Sequence, residues 1–191
     1  MGLKDFKKEI LKSVKKKKKI IILGRGFSSS FFLNKIHKYQ NKTLTVGFNT
    51  DEITNQIDFY FTNKKKIPDN LPKKKLIELK DILNLDKKNL NLYRVGSIEY
   101  SIDPLLYYIN SVVEKDKLSA ELIFIGFDFR SALPESDYKK RTRKELVQSH
   151  IDISSQRDLF FKRTNFYDYI QIVHAGFDFH SNIDPRKNLL N

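Results

Sequence analysis

Apolar residues along the chain follow two different patterns. Residues 3 to 14 place apolar side chains every three or four positions, which predicts an amphipathic helix. Lys19 to Leu23 instead forms a continuous run rich in isoleucine, a pattern typical of a strand buried on both faces of a sheet. "AELIFI", residues 120 to 125, repeats that character, and "YIQIV", residues 169 to 173, predicts a last buried strand.

The segments between these runs predict further helices and strands in alternation. We expect a helix from Ser28 to Lys38, begun by Ser28 or Ser29 as N-cap, and another from Ile102 to Lys115. Other predicted elements are strands in "TLTVGFN", "IDFYFTN", "KKLIEL" and "NLYRVGS" and a helix from Ser154 to Phe166. Such alternation is typical of βαβ units. The sequence therefore predicts an α/β fold: a Rossmann-like, mostly parallel sheet with helices on both faces.

The chain length of 191 residues suits a single domain. We interpret residues 1–18 as an N-terminal basic amphipathic helix and residues 19–191 as a nucleotide-binding α/β domain. Within it, the polar and charged stretch at about 130–149 predicts a lid over a binding site.

Composition and charge narrow the possible partners. The formal net charge is +13, and cysteine is absent, which excludes disulfides and thiolate metal sites. Lysine far outnumbers arginine, and the arginine-rich, aromatic-interleaved motifs of nucleic-acid readers are missing, so we expect no nucleic-acid partner. We interpret the lysines chiefly as a solvated surface with a general attraction for anionic substrates, and peripheral contact with an anionic membrane stays open as an alternative. The sequence predicts neither a secretory signal nor a membrane span. We therefore expect a cytoplasmic location, with attachment to the inner face of the membrane as an alternative.

The turn after the first strand is the first candidate for chemistry. Gly24 and Gly26 would let the backbone approach a phosphate closely, and Arg25 would add a charge-assisted contact. The third glycine of a dinucleotide fingerprint is replaced by Ser29, and Asn49 stands where an acidic residue would end the next strand. The turn therefore favours a single nucleotide, although a plain strand-to-helix turn would have the same sequence.

Other strand ends add polar residues to the same predicted edge of the sheet, because the carboxyl ends of parallel strands lie together. Asn63 follows the third strand, and Gly126, Asp128 and Arg130 follow the strand at 120 to 125. Asp128 could meet a divalent ion held by a nucleotide. His150, before a predicted helix, could act as a general base or bind phosphate, and its position alone fits an exposed residue equally well.

The order of these motifs resembles that of the bacterial CMP-sialic-acid-dependent sialyltransferases. The resemblance rests on "IIILGRGFSSS", the two asparagines, "YRVGS", "LIFIGFDF", and a histidine that opens the helix before "YIQIV". It covers residues 19 to about 175. More distantly, the pattern is similar to flagellin-glycosylation accessory proteins and to 6-hydroxymethylpterin pyrophosphokinases.

The resemblance implies a role for each matching residue. It assigns phosphate binding to Gly24, Gly26 and Ser28, and nucleotide or sugar contacts to Asn49 and Asn63. Further implied residues are Arg94 and Ser97 for substrate binding, Gly126 and Asp128 for the nucleotide pocket, and His150 as general base.

The chain departs from the family pattern at several positions. Arg25 and Phe27 replace the asparagine and proline of the first turn. The family has tyrosines after its Gly-x-Asp-Phe turn to bind the leaving phosphate, whereas here Arg130 follows directly and Tyr138 is the later lid tyrosine.

The implied activity is metal-independent transfer of a sugar from a CMP-linked donor to a glycan hydroxyl, with no obligatory cofactor. Two alternatives stay open. One is pyrophosphoryl transfer to a small heterocycle, with Mg²⁺ held by Asp128. The other is a non-catalytic nucleotide-binding accessory protein of glycan biosynthesis. The sequence names neither the donor sugar nor the acceptor.

Overall fold

The structure, a computed structural model, describes residues 2–24, 27–39, 41–48, 56–62, 71–85, 102–127, 142, 144 and 167–175. The strands in these ranges are β1 Lys19–Leu23, β2 Thr43–Phe48, β3 Phe59–Thr62, β4 Leu76–Glu78, β5 Ala120–Ile125 and β6 Ile170–His174. The α-helices in these ranges are α1 Gly2–Lys15, α2 Phe27–Leu33, α3 Leu79–Leu83 and α4 Asp103–Lys115. Short 3₁₀ helices occupy Ile36–Lys38 and Lys73–Lys75.

The six strands form one sheet in the order β4-β3-β2-β1-β5-β6. Every neighbouring pair is parallel, with Ile22 opposite both Val46 of β2 and Phe124 of β5. From β1 the chain builds outward to β4 on one side and then returns to place β5 against the other side of β1. The predicted α/β fold with a Rossmann-like parallel sheet in a single domain is confirmed.

Helices cover both faces of the sheet, as predicted. On one face Ile20 and Ile22 belong to a core with Phe6 and Ile10 of α1, both fully buried, and with the apolar side of α4. The ring of Phe6 lies 5.0 Å from that of Phe59. On the other face, a second cluster contains Ile21, Leu23, Ile123 and Ile125, against which Phe32 and Leu33 of α2 pack. Continuous apolar runs were the sequence signal for this two-sided burial.

Two predictions about these elements need correction. The helix expected from Ser28 to Lys38 ends at Leu33, and a 3₁₀ turn follows. It begins at Phe27, so Ser28 and Ser29 lie inside it and neither is the N-cap; the Ser28 hydroxyl serves a distant strand instead. β6 is also less buried than predicted, because it lies at the edge of the described sheet: Ile170 is buried, Gln171 is exposed and the rest are half-buried.

Several predicted elements lie outside the described residues: the strand in "NLYRVGS", the helix at 154–166 and, apart from Thr142 and Lys144, the lid at 130–149. Among the helices that are described, none has the length and apolar character needed to cross a bilayer.

Candidate functional site

The strongest candidate site lies where the strand order reverses, between β1 and β5. After β1 the chain moves to β2 on one side, while β5 occupies the other side. In open parallel sheets a crevice forms at this point, outside the carboxyl ends of the strands, because the connections leave in opposite directions. Leu23 pairs with Ile125, so Gly24 and Gly126 follow side by side at this edge.

Gly24 and Gly126 approach each other too closely for side chains. The Gly24 N–H donates to the Ile125 carbonyl at 2.7 Å. A Cβ on Gly24 would lie 2.6 Å from the Gly126 carbonyl oxygen, and one on Gly126 would lie 2.8 Å from that of Gly24. Gly126 also has a φ of +79°, in the region that favours glycine. Packing of the two strand ends is therefore a sufficient reason for both glycines.

The Ser28 side chain ties α2 to the end of β5. Its Oγ accepts the Gly126 N–H at 2.8 Å, and Ser28 is buried. The N–H groups of Gly24 and Gly126 thus both engage oxygens of the protein. A phosphate bound here would need other donors of the turn, and its central residues, Arg25 and Gly26, lie outside the described residues.

His174 is a part of this edge that the sequence reasoning missed. It ends β6 opposite Phe124, and its Nε2 lies 2.6 Å from the Phe127 carbonyl oxygen. A carbonyl can only accept, so Nε2 carries the proton and donates it. The Phe127 ring in turn packs 5.0 Å from that of Phe124 and 5.7 Å from that of Phe48. His174 and this ring packing fix the backbone directly before Asp128; the signal available in the sequence was the position of a histidine at a strand end.

The described ends of β1 and β5 carry no acidic or basic side chain, whereas β4, three strands away from β1, ends at Glu78, which pairs with Lys80 at 2.7 Å. Gly24, Ser28, Ser29, Gly126 and Phe127 surround the strand ends, and His174 is their one titratable neighbour among the described residues. A phosphate at the ends of β1 and β5 would therefore need charged partners from outside the described ranges, where the sequence predicts Arg25 and Arg130.

The groups with shifted pKa values lie elsewhere. Burial raises the pKa of the Asp58 carboxyl, opposed by the N–H of Thr45 that it accepts. Burial also raises the pKa of Tyr108 to about 12; its hydroxyl donates to the Leu3 carbonyl within the helical layer. Asp58 precedes β3 at the amino end of the sheet, so neither group belongs to the candidate site.

The structure brings together three of the predicted site residues, Gly24, Ser28 and Gly126. The remaining predicted site residues lie outside the described residues: Arg25, Gly26, Asn49, Asn63, Arg94, Ser97, Asp128, Arg130, Tyr138 and His150. Asn49 and Asn63 directly follow β2 and β3, whose carboxyl ends lie on the same edge as that of β1.

Among the described residues, no three histidine, aspartate or glutamate side chains are grouped as metal ligands would be. No protein-family model matches the chain, and neither a curated protein nor a solved structure shows significant similarity to it.

Proposed function

We propose that the chain binds a nucleotide-activated sugar of the CMP-sialic-acid type and transfers the sugar to an acceptor hydroxyl. The observation that carries this proposal is the reversal of strand order between β1 and β5, with Gly24 and Gly126 at the two strand ends. Parallel sheets bind nucleotides at such a point. Four of the residues that carry the resemblance to sialyltransferases, Gly24, Asn49, Asn63 and Gly126, directly follow strands that end at this edge.

The proposed reaction is a direct displacement at the anomeric carbon. His150 takes the proton of the acceptor hydroxyl while the oxygen of that hydroxyl bonds to the anomeric carbon of the sugar. The bond between the sugar and the phosphate of CMP breaks at the same time. Arg130 and Arg25 stabilise the negative charge on the departing phosphate, a kind of contact that is worth about 3 kcal/mol in other enzymes. Asn49 and Asn63 orient the nucleotide or the sugar.

Isothermal titration calorimetry with CMP, CDP, UDP and ATP, each with and without Mg²⁺, tests the nucleotide class. We expect binding of CMP and CDP without metal. Binding of ATP that requires Mg²⁺ would instead favour pyrophosphoryl transfer, and a chain that binds none of the four nucleotides would refute both enzyme assignments.

A second experiment tests the role of His150. His150→Ala should bind CMP as before and lose transfer by about 10²- to 10⁴-fold, the usual contribution of a general base. His37→Ala is the matched control, because His37 is exposed on the 3₁₀ turn after α2 and should leave both properties unchanged. Unchanged transfer by His150→Ala would remove this assignment, and CMP binding by the wild-type chain without any transfer would favour an accessory protein.

A further inference from the structure

The outer side of α1 carries a row of lysines, Lys4, Lys8, Lys12 and Lys15, called here the lysine stripe. Their spacing of four, four and three residues places them along one side of a helix. All four are exposed, and the side chains of Lys12 and Lys15 keep 54% and 60% of their accessible surface. The opposite side of α1 holds the buried Phe6 and Ile10.

Positive charge continues at both ends of the stripe. At its amino end α1 packs against β4 so closely that a Cβ on Gly2 would overlap the Leu76 carbonyl oxygen. The exposed Lys73 and Lys74 precede Leu76 and lie beside the start of α1. Lys16 and Lys17 extend the stripe at the other end.

Acidic residues offset little of this charge. Residues 2–19 contain nine lysines against Asp5 and Glu9, a net charge of +7. Glu9 pairs with Lys12 at 3.0 Å, and Asp116 of the turn after α4 pairs with Lys15 at 3.4 Å. Both pairs are solvent-exposed, and exposed ion pairs rearrange readily when a stronger anionic partner approaches.

The packing of α1 decides what kind of anionic partner fits. Its apolar side belongs to the core, and its flanks contact β4 and α4, the latter through Phe6–Tyr108 and Lys15–Asp116. Only the outer side of α1 is accessible to a partner, and that side carries the lysine stripe. The stripe contains neither arginine for base edges nor an aromatic ring for stacking. A row of lysines on one accessible side matches an extended anionic surface instead.

We propose that the lysine stripe docks this protein onto an anionic lipid bilayer. Because the apolar side of α1 is already buried, the contact is electrostatic and no side chain inserts among the acyl chains. Binding should therefore require anionic lipid and weaken steeply with salt, since screening shortens the reach of the lysine charges. This proposal does not depend on the nucleotide site.

The test is co-sedimentation of the full chain with vesicles of phosphatidylcholine alone and of phosphatidylcholine mixed with phosphatidylglycerol. We expect binding to the mixed vesicles at low salt and its loss at about 0.5 M NaCl. Lys4→Gln/Lys8→Gln should bind the mixed vesicles about 25-fold more weakly, roughly fivefold for each lysine. An unchanged thermal unfolding profile of the variant excludes misfolding as the cause.

The matched control is Lys35→Gln/Lys38→Gln, which removes the same charge from exposed positions after α2, on the other face of the sheet. It should bind nearly as well as the wild type. Equal weakening by both variants would show that overall charge, not the stripe, governs binding, and would overturn the proposal. Absence of binding to the mixed vesicles would also overturn the proposal. If the protein bound an RNA duplex through these lysines and did not bind vesicles, the partner would be a nucleic acid instead.

Discussion

The two ends of the sheet are held together by different kinds of contact. At the carboxyl end, the backbones of Gly24 and Gly126 touch, and a buried hydroxyl, that of Ser28, completes the junction. At the amino end charged side chains make the connections: Lys19 pairs with Glu121 at 3.1 Å. Backbone contacts at a junction leave no freedom to adjust, whereas long side chains can move, take up water or exchange partners.

Other charged groups at the amino end follow the same rule. The carboxylate of Asp58 accepts the N–H of Thr45 at 2.8 Å, and the ammonium of Lys75 donates to the Ile57 carbonyl at 2.8 Å. An open depression of about 380 Å³, lined by Lys18, Tyr169 and neighbouring residues, also lies at this end. The amino end therefore has room and charge, whereas the junction of β1 with β5 at the carboxyl end is closely packed and is made by uncharged groups.

The largest effect is expected for Gly126→Ala. The new Cβ would lie 2.8 Å from the Gly24 carbonyl oxygen on a backbone with φ of +79°, and the two penalties together should lower the free energy of unfolding by about 3 kcal/mol. Urea unfolding measures this loss. Glu121→Ala, at the other end of the same strand, is the control; it removes an exposed ion pair and should cost less than about 1 kcal/mol. Similar losses for both variants would contradict the contrast between the two ends.

Ser28→Ala should have an intermediate effect. It leaves the buried N–H of Gly126 without its acceptor, which should cost about 2 kcal/mol of unfolding free energy. Ser111→Ala is the comparison, because the Ser111 hydroxyl donates within α4 to the Tyr108 carbonyl and its loss should cost far less. Hydrogen exchange at the Gly126 amide, read by NMR, should accelerate only in Ser28→Ala; protection that persists there would show that another group can replace the hydroxyl.

The smallest effect, and a pH-dependent one, is expected at the amino end for Asp58→Asn. Burial raises the pKa of Asp58 above its unfolded value, so between those two values the folded protein binds more protons. The contribution of this group to stability therefore falls as pH rises through that window. Asparagine keeps an acceptor for the Thr45 N–H without the charge, so the variant should gain stability relative to wild type at pH 7 and lose that advantage below the unfolded pKa of about 3.9. Urea titrations at both pH values measure this, and a difference between the two proteins that does not vary with pH would refute it.

The sequence was informative where the signal was local. The isoleucines of β1, the helical spacing around Phe6 in α1 and the apolar run of β5 each predicted the element found, because burial imposes a short period on the chain. Gly24 was singled out as a special backbone position, and the structure shows a reason for it that the sequence did not, the close approach of Gly126. The phosphate contact expected at the same turn stays a prediction.

Contacts between distant segments could not be read from the pattern. The hydroxyl of Ser28 and the Gly126 N–H are 98 residues apart in sequence, and His174 is 47 residues from Phe127. Residue type and periodicity carry no information about which strand lies beside which. The start of the helix that contains Ser28 was therefore predicted incorrectly. Its serines were interpreted as N-caps, whereas the Ser28 hydroxyl accepts a hydrogen bond from the residue that follows β5.

The sequence by itself determined the α/β class, the position of most strands and the amphipathic, lysine-bearing character of the first helix, because each depends on hydrophobic burial over a few neighbouring residues. Only the tertiary structure decided the strand order, and with it the pairing of β1 with β5. That pairing brings Gly24 and Gly126 into contact. The neighbouring pairing of β5 with β6 places His174 against the Phe127 carbonyl, and the packing of α1 against β4 and α4 leaves its lysine side facing outward. These contacts depend on how segments that are distant in sequence pack into one core. The spacing of apolar residues within a single segment does not encode that packing.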